Sequence, residues 1–242
     1  MSKRRIPILM YHSIEKMPKQ TVMRSLHVSP KKFGFQMWIL NMLGYKGLSM
    51  RELTPFLEGK KGKVVGITFD DGYQNNLSNA APILKKYDFT ATCYLVSQRI
   101  GNTNSWDLDK DITQRPLMNH AEIEKWLNLG LDIGAHTQTH PLLEKLSYEK
   151  SEEEIVNCKS DLEQMFKVHI KDFCYPFGRF DDKHIKILKK AGFITATSMN
   201  RGRASTDSNK LILPRIPINH HTLPHLFLAK ILTNYEDRRS SH

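Results

Sequence analysis

Two clusters of side chains in this sequence can do chemistry. The first is Asp70-Asp71, which closes the apolar run Val64, Val65, Ile67 and Phe69 and is followed by Gly72. Adjacent carboxylates at the end of a buried strand repel each other and are costly to desolvate, and a cation that holds one of them relieves that cost. The second is His136-Thr137-Gln138-Thr139-His140, which follows Leu131, Ile133 and Gly134. Two histidines four apart share one face of a helical turn and can bind one ion through imidazole nitrogens. Two histidines and a carboxylate around an ion with an open position make a hydrolytic centre. The spacing alone does not say which aspartate binds the ion. The competing readings are a polar Asp-Asp-Gly turn and satisfied surface histidines, of which a chain with 11 histidines has candidates. Both clusters stand at strand ends, the place where α/β proteins put their chemistry, and that favours the metal.

The elements that must carry these clusters alternate along the chain. Strands are predicted over 6–10, 64–69, 90–96, 131–133, 173–175, 193–197 and 211–218, and helices over 31–43, 50–58, 75–87, 121–129, 147–166, 181–191 and 224–232. The helix signals are apolar residues at helical spacing stopped by Gly44, Gly130 and Gly192, with Pro82 marking a bend or a start. Residues 101–116 are polar and irregular and read as a loop on the active-site face. Strands alternating with helices, without repeat or composition break, indicate one α/β domain of barrel-like or open parallel architecture.

Charged residues at 25% and hydrophobic residues at 40% are ordinary globular values. The net charge of +11 favours acidic partners: an anionic membrane surface, a phosphate-bearing lipid carrier or an anionic glycan. Lysines and arginines form no long block, so no nucleic-acid binding is expected. Three cysteines without CxxC spacing exclude a disulfide framework and a thiolate zinc site. The basic start, residues 1–5, precedes an apolar stretch too short for a signal peptide, and no segment is long enough to span a membrane. A cytoplasmic protein is therefore the expectation.

Thr68-Phe69-Asp70-Asp71-Gly72 followed by His136-Thr137-x-x-His140 resembles the first two motifs of the polysaccharide deacetylases, carbohydrate esterase family four. Tyr175-Pro176-Phe177-Gly178 resembles that family's third motif, and Leu9-Met10-Tyr11-His12 the Met-Tyr-His opening of the branch that includes poly-N-acetylglucosamine deacetylases. The resemblance covers about residues 6–220 and implies a single catalytic domain over 1–242 with a polar tail at 234–242. It implies a distorted (β/α) barrel of about seven strands. It further implies Asp71, His136 and His140 as metal ligands, with zinc the first choice and Co2+, Ni2+, Mn2+ or Fe2+ alternatives. Asp70 is then the general base and His12 the general acid, with His220 the alternative acid because Pro217-Ile218-Asn219-His220-His221 does not match the family's late histidine motif cleanly. Cys174 stands where the third motif commonly has an arginine that positions the catalytic aspartate. Arg215, in a later strand, is the replacement expected to reach Asp70 with a planar fork. A backbone N–H near Phe177 is a candidate oxyanion donor, Tyr175 and Phe177 are candidates for a sugar-binding wall, and Trp106 and Asp107 in the long loop are weaker ones.

The function expected is metal-dependent removal of N-acetyl groups from an amino-sugar glycan or a lipid-linked precursor. Two rivals are hydrolysis of another C–N bond, such as a formamido sugar or cyclic amide, and a catalytically silent glycan-binding protein. The missing third-motif arginine is what keeps the silent protein in play.

Overall fold

The computed structural model describes residues 5–110 and 112–239; residues 1–4 of the basic start and residues 240–242 of the polar tail lie outside the described residues. The strands are β1 (Ile8–Tyr11), β2 (Lys46–Leu48), β3 (Val64–Phe69), β4 (Thr92–Leu95), β5 (Asp132–Ala135), β6 (Asp172–Cys174), β7 (Thr195–Arg201) and β8 (Leu213–Pro217). All neighbours run parallel, and β1 pairs with both β3 and β8. A ring of seven strands thereby closes in the order β1-β3-β4-β5-β6-β7-β8, with β2 hydrogen-bonded to the start of β3 outside it. A closed parallel barrel surrounded by helices is the architecture expected. The three-residue β2 is the strand that periodicity missed.

The helices are α1 (Pro30–Met42), α2 (Met50–Leu57), α3 (Ala81–Lys86), α4 (His120–Asn128), α5 (Tyr148–Phe166), α6 (Asp182–Lys190) and α7 (Pro224–Leu232). Their starts follow the sequence: Ser29, Ser49, Asn119, Ser147 and Asp181 each accept a hydrogen bond from a first-turn backbone N–H. The helix predicted over 75–87 divides at Pro82, into a π-helical turn at Asn76–Ala80 and then α3. Ser151, inside α5, is buried and donates to the Ser147 carbonyl.

Alternation along the strands builds two apolar layers. Leu9, Tyr11, Ile67, Phe69, Cys93, Ile133, Phe173 and Ile216 face outward and pack under the helices. Ile8, Val64, Tyr94, Cys174 and Leu213 face the barrel interior. The same period of two places Thr68, Asp70 and Arg215 inward. The three cysteines are buried and free. No helix of the described residues is long and apolar enough to cross a membrane.

Candidate functional site

The site is a cleft of about 610 Å³ at the carboxyl ends of the barrel strands, lined by His12, Asp70, Asp71, His136, His140 and Trp106 among others. Its charged floor comes from three neighbouring strands of the ring. β1 and β3 run in register up to Tyr11 and Phe69, and the Asp70 N–H continues the ladder to the Tyr11 carbonyl at 2.9 Å. His12 and Asp70 are therefore side by side, with His12 Nε2 3.9 Å from Asp70 Oδ2. Asn76 Nδ2 ties down the His12 carbonyl at 2.9 Å.

Arg215 enters from β8 on the other flank. It is 1% exposed and grips Asp70 with both arms of its fork, Nη1 to Oδ1 at 2.7 Å and Nη2 to Oδ2 at 2.8 Å. Nη1 also donates to Thr68 Oγ1 at 3.1 Å and Nε to the Ser198 carbonyl at 3.0 Å, so the guanidinium is fixed from four sides once Cys174 Sγ, at 3.2 Å from Nη2, is counted. A small residue at 174 leaves room for a guanidinium delivered from a different strand. Burial alone would raise the Asp70 carboxyl; Arg215 first, then His12 and His136, hold it below the ordinary carboxylate range.

Asp71 turns the opposite way because its φ is +73°, a left-handed conformation that few side chains adopt. Its Oδ1 lies 3.5 Å from His136 Nε2 and 3.5 Å from His140 Nε2. Ligands about 2.1 Å from a tetrahedral ion stand about 3.4 Å apart, so these three atoms are spaced to share one. His136 Nδ1 is 2.7 Å from the Cys174 carbonyl. A carbonyl only accepts, so Nδ1 carries the proton and Nε2 keeps its lone pair for a ligand. Asp70, His136 and Cys174 also lie within 4.8 Å of one another, but both Asp70 oxygens are engaged by Arg215. Asp71, His136 and His140 are thus the set that fits a divalent cation.

Burial opposes ionisation of Asp71, but His136 and His140 hold its carboxyl far below the usual range. Burial pushes His140 down to about 3, helped by His136, and leaves a neutral imidazole, the form that ligates. For His136 burial disfavours the cation, while Cys174 and Asp71 favour it and raise its proton affinity. Buried Tyr73 packs beside Asp71; burial first, then the Asp71 charge, raises its phenol.

The His136–His140 segment is not the helical turn expected. It is a bend in which Thr137 and His140 both have φ of +65°, and this brings the two rings to 4.8 Å. Glu154 of α5 accepts from the backbone N–H groups of Gln138 and Thr139 at 2.9 and 3.0 Å and from Thr139 Oγ1 at 2.6 Å. Thr137 Oγ1 accepts from the His140 N–H. Sequence reasoning missed Glu154, whose place in an acidic helix looks like an ordinary solvated face. The signal would have been two backbone N–H groups, of Gln138 and Thr139, left over by a bend.

Trp106 stacks on His140 at 4.5 Å between ring centres, and Phe177, at φ +56°, meets it edge-on at 4.7 Å. Among the described residues His140 Nδ1 has no hydrogen-bond partner, and the two aromatic rings pack on the imidazole. Phe177 is 38% exposed at the rim, whereas Tyr175 is buried with its hydroxyl donating to the Leu211 carbonyl at 2.9 Å. Asp107 also lines the cleft. His220 does not reach it: its backbone N–H donates to the Ser25 carbonyl, and its ring packs against His221.

Residues 58–196 match the family model for polysaccharide deacetylase. YxkH of Bacillus subtilis, which carries a polysaccharide deacetylase name, is 30% identical over 218 residues, spanning 89% of this chain and 72% of that protein. The poly-beta-1,6-N-acetyl-D-glucosamine N-deacetylase of Staphylococcus aureus is 30% identical over 216 residues, 84% of this chain and 71% of that protein. Among solved structures, the Streptococcus pyogenes deacetylase PplD in complex with acetate superposes with a TM-score of 0.82 at 28% identity, covering 95% of this chain and 99% of that one.

Proposed function

The chain belongs to the polysaccharide deacetylase family, and on that premise we propose that it is a metal-dependent hydrolase that removes N-acetyl groups from an N-acetylglucosamine-type glycan. The observation that carries this reading is the division of labour between two adjacent aspartates, one turned to two imidazoles and one clamped by an arginine. The described domain acts as one catalytic unit.

Asp71, His136 and His140 would hold the cation, with zinc best suited to two imidazoles and a carboxylate. When bound, the cation supplies Lewis acidity toward the acetyl carbonyl and makes water a nucleophile near neutral pH. Asp70, kept ionised by Arg215, takes the proton from the attacking water. Arg215 positions Asp70 and touches no reacting atom. His12, on the neighbouring strand, delivers a proton to the departing amine. The Phe177 N–H is the donor we assign to the developing oxyanion. Trp106 and Phe177 form the wall for the sugar ring, and Tyr175 lies beneath it in the floor.

The silent-protein reading loses its support, because the positioning arginine absent from the third motif has a counterpart in Arg215. The test is acetate release from N-acetylglucosamine oligomers with and without chelator. Acetate that stops on chelation is the expected result; formate or a ring-opened acid would mean a different C–N bond. Asp70→Asn should abolish turnover while a metal-titration experiment still finds one bound ion, and surviving turnover would remove Asp70 from the mechanism.

A further inference from the structure

Three outer helices that stand side by side around the ring differ from the rest of the surface. α7, α1 and α3 follow β8, β1 and β3, which are neighbours in the barrel. α1 meets α7 across a cavity of about 590 Å³ lined by Lys31, Lys32, Phe35 and Pro224, and it meets α3 where Gly34 lies against Ile83. None of the three helices, nor the π-helical turn before α3, contains an aspartate or glutamate. By contrast α5 alone carries Glu149, Glu152, Glu153, Glu154, Asp161 and Glu163.

The acid-free face is also apolar where it meets solvent. Phe35 and Trp38 are 43% and 44% exposed and stack on each other with ring centres 5.3 Å apart. Met42, one turn further along α1, is 65% exposed, and Leu223 at the start of α7 is 48% exposed. Lys31 on α1 and Lys85 and Lys86 on neighbouring α3 are exposed, and Lys32 reaches the His220 carbonyl. Asp88, just beyond α3, is neutralised by Lys46. A stripe of Phe, Trp and Met on one helix, flanked by lysines and free of acids, combines the two attractions an anionic bilayer offers: insertion of amphipathic rings at the headgroup level and Coulombic attraction to the lipid phosphates. A second copy of the chain is a poor occupant, because two such faces would bring like charges together.

We propose that the α7–α1–α3 face docks on an anionic phospholipid surface through Phe35, Trp38 and the surrounding lysines. Docking in this way brings the cleft beside the bilayer. The segment between β1 and α1 carries exposed Val22 and Met23 at the cleft, then Ser29 beside the docking face. The proposal stands apart from the deacetylase reading, since vesicles without any glycan test it.

The full chain is sedimented with vesicles of phosphatidylcholine and phosphatidylglycerol in a two-to-one mixture, and with phosphatidylcholine alone. Binding to the mixed vesicles only is expected, falling about tenfold or more in Phe35→Ser/Trp38→Ser and in Lys31→Glu/Lys32→Glu. Lys186→Glu/Lys189→Glu on α6 makes the same charge change elsewhere and should leave binding within about twofold. Trp38→Phe should keep binding but lose the blue shift of tryptophan emission on vesicle addition. Circular dichroism of each variant separates loss of docking from loss of fold. Equal binding to neutral vesicles, equal losses in the α6 control, or concentration-dependent self-association abolished by Phe35→Ser/Trp38→Ser without vesicle binding would each overturn the proposal.

Discussion

Asp70 is asked to stay ionised in a buried place, and Arg215 makes that possible with two short hydrogen bonds. Removing one partner of such a buried pair leaves the other charge uncompensated. Arg215→Met should therefore destabilise the fold by about 3–5 kcal/mol in urea unfolding, and Arg215→Lys should retain part of that stability but lose turnover, because an ammonium cannot engage both oxygens. The acid assignment is tested at the same scale. His12→Ala should lower kcat/KM for acetate release by about 10²–10⁴, while His220→Ala should leave it within about twofold; the opposite ranking would transfer the role to His220. Asp70, Asp71, His136 and His140 could be found from sequence because their types and strand-end positions are unusual together. The partner of Asp70 could be inferred only because an arginine was missing from one place and present in another strand.

Among elements, the bend that carries His136 and His140 depends on α5. Glu154 takes three donors from that bend, so Glu154→Gln should weaken zinc binding about 10–100-fold in a competition with a chromogenic chelator, with turnover largely recovered at saturating zinc. Unchanged affinity would mean that the bend holds itself. The barrel's other end shows a different economy. Asp172 opens β6 inside the barrel, accepts from Thr195 Oγ1 at 2.5 Å and is pushed up to about 6, by burial first and then by Asp132. The folded state therefore holds this proton more tightly than the unfolded chain does. Its contribution is fully present below about pH 4 and is lost as pH rises through about 6. Asp172→Asn keeps the Thr195 bond without the charge, and should raise Tm at pH 8 by an amount that shrinks toward zero near pH 4. Helices and the longer strands could be read from periodicity and caps to within a few residues. The His136–His140 bend could not, because Thr137 and His140 adopt left-handed backbone that neither residue type signals.

For the whole molecule, a cation that binds only the folded chain must stabilise it. At a free zinc concentration about 100 times Kd the gain is about 2.7 kcal/mol, readable as a Tm increase that chelator reverses and that Asp71→Asn removes. No increase, with activity intact, would place the cation elsewhere or dispense with it. Barrel closure was implied by the family resemblance and by alternating elements, but the pairing of β1 with both β3 and β8 is a long-range fact that no local pattern encodes. That pairing has a consequence for synthesis. His12 and Arg215, which flank Asp70, lie near opposite ends of the translated order, and at about 5–20 residues per second roughly 10–40 s separate their emergence from the ribosome. During that interval Asp70 has no fork to hold it, and β1 has no second neighbour. The centre is finished only once β8 has emerged, so a nascent or prematurely released chain that stops short of β8 carries both aspartates and all three histidines of the cleft yet has no assembled base.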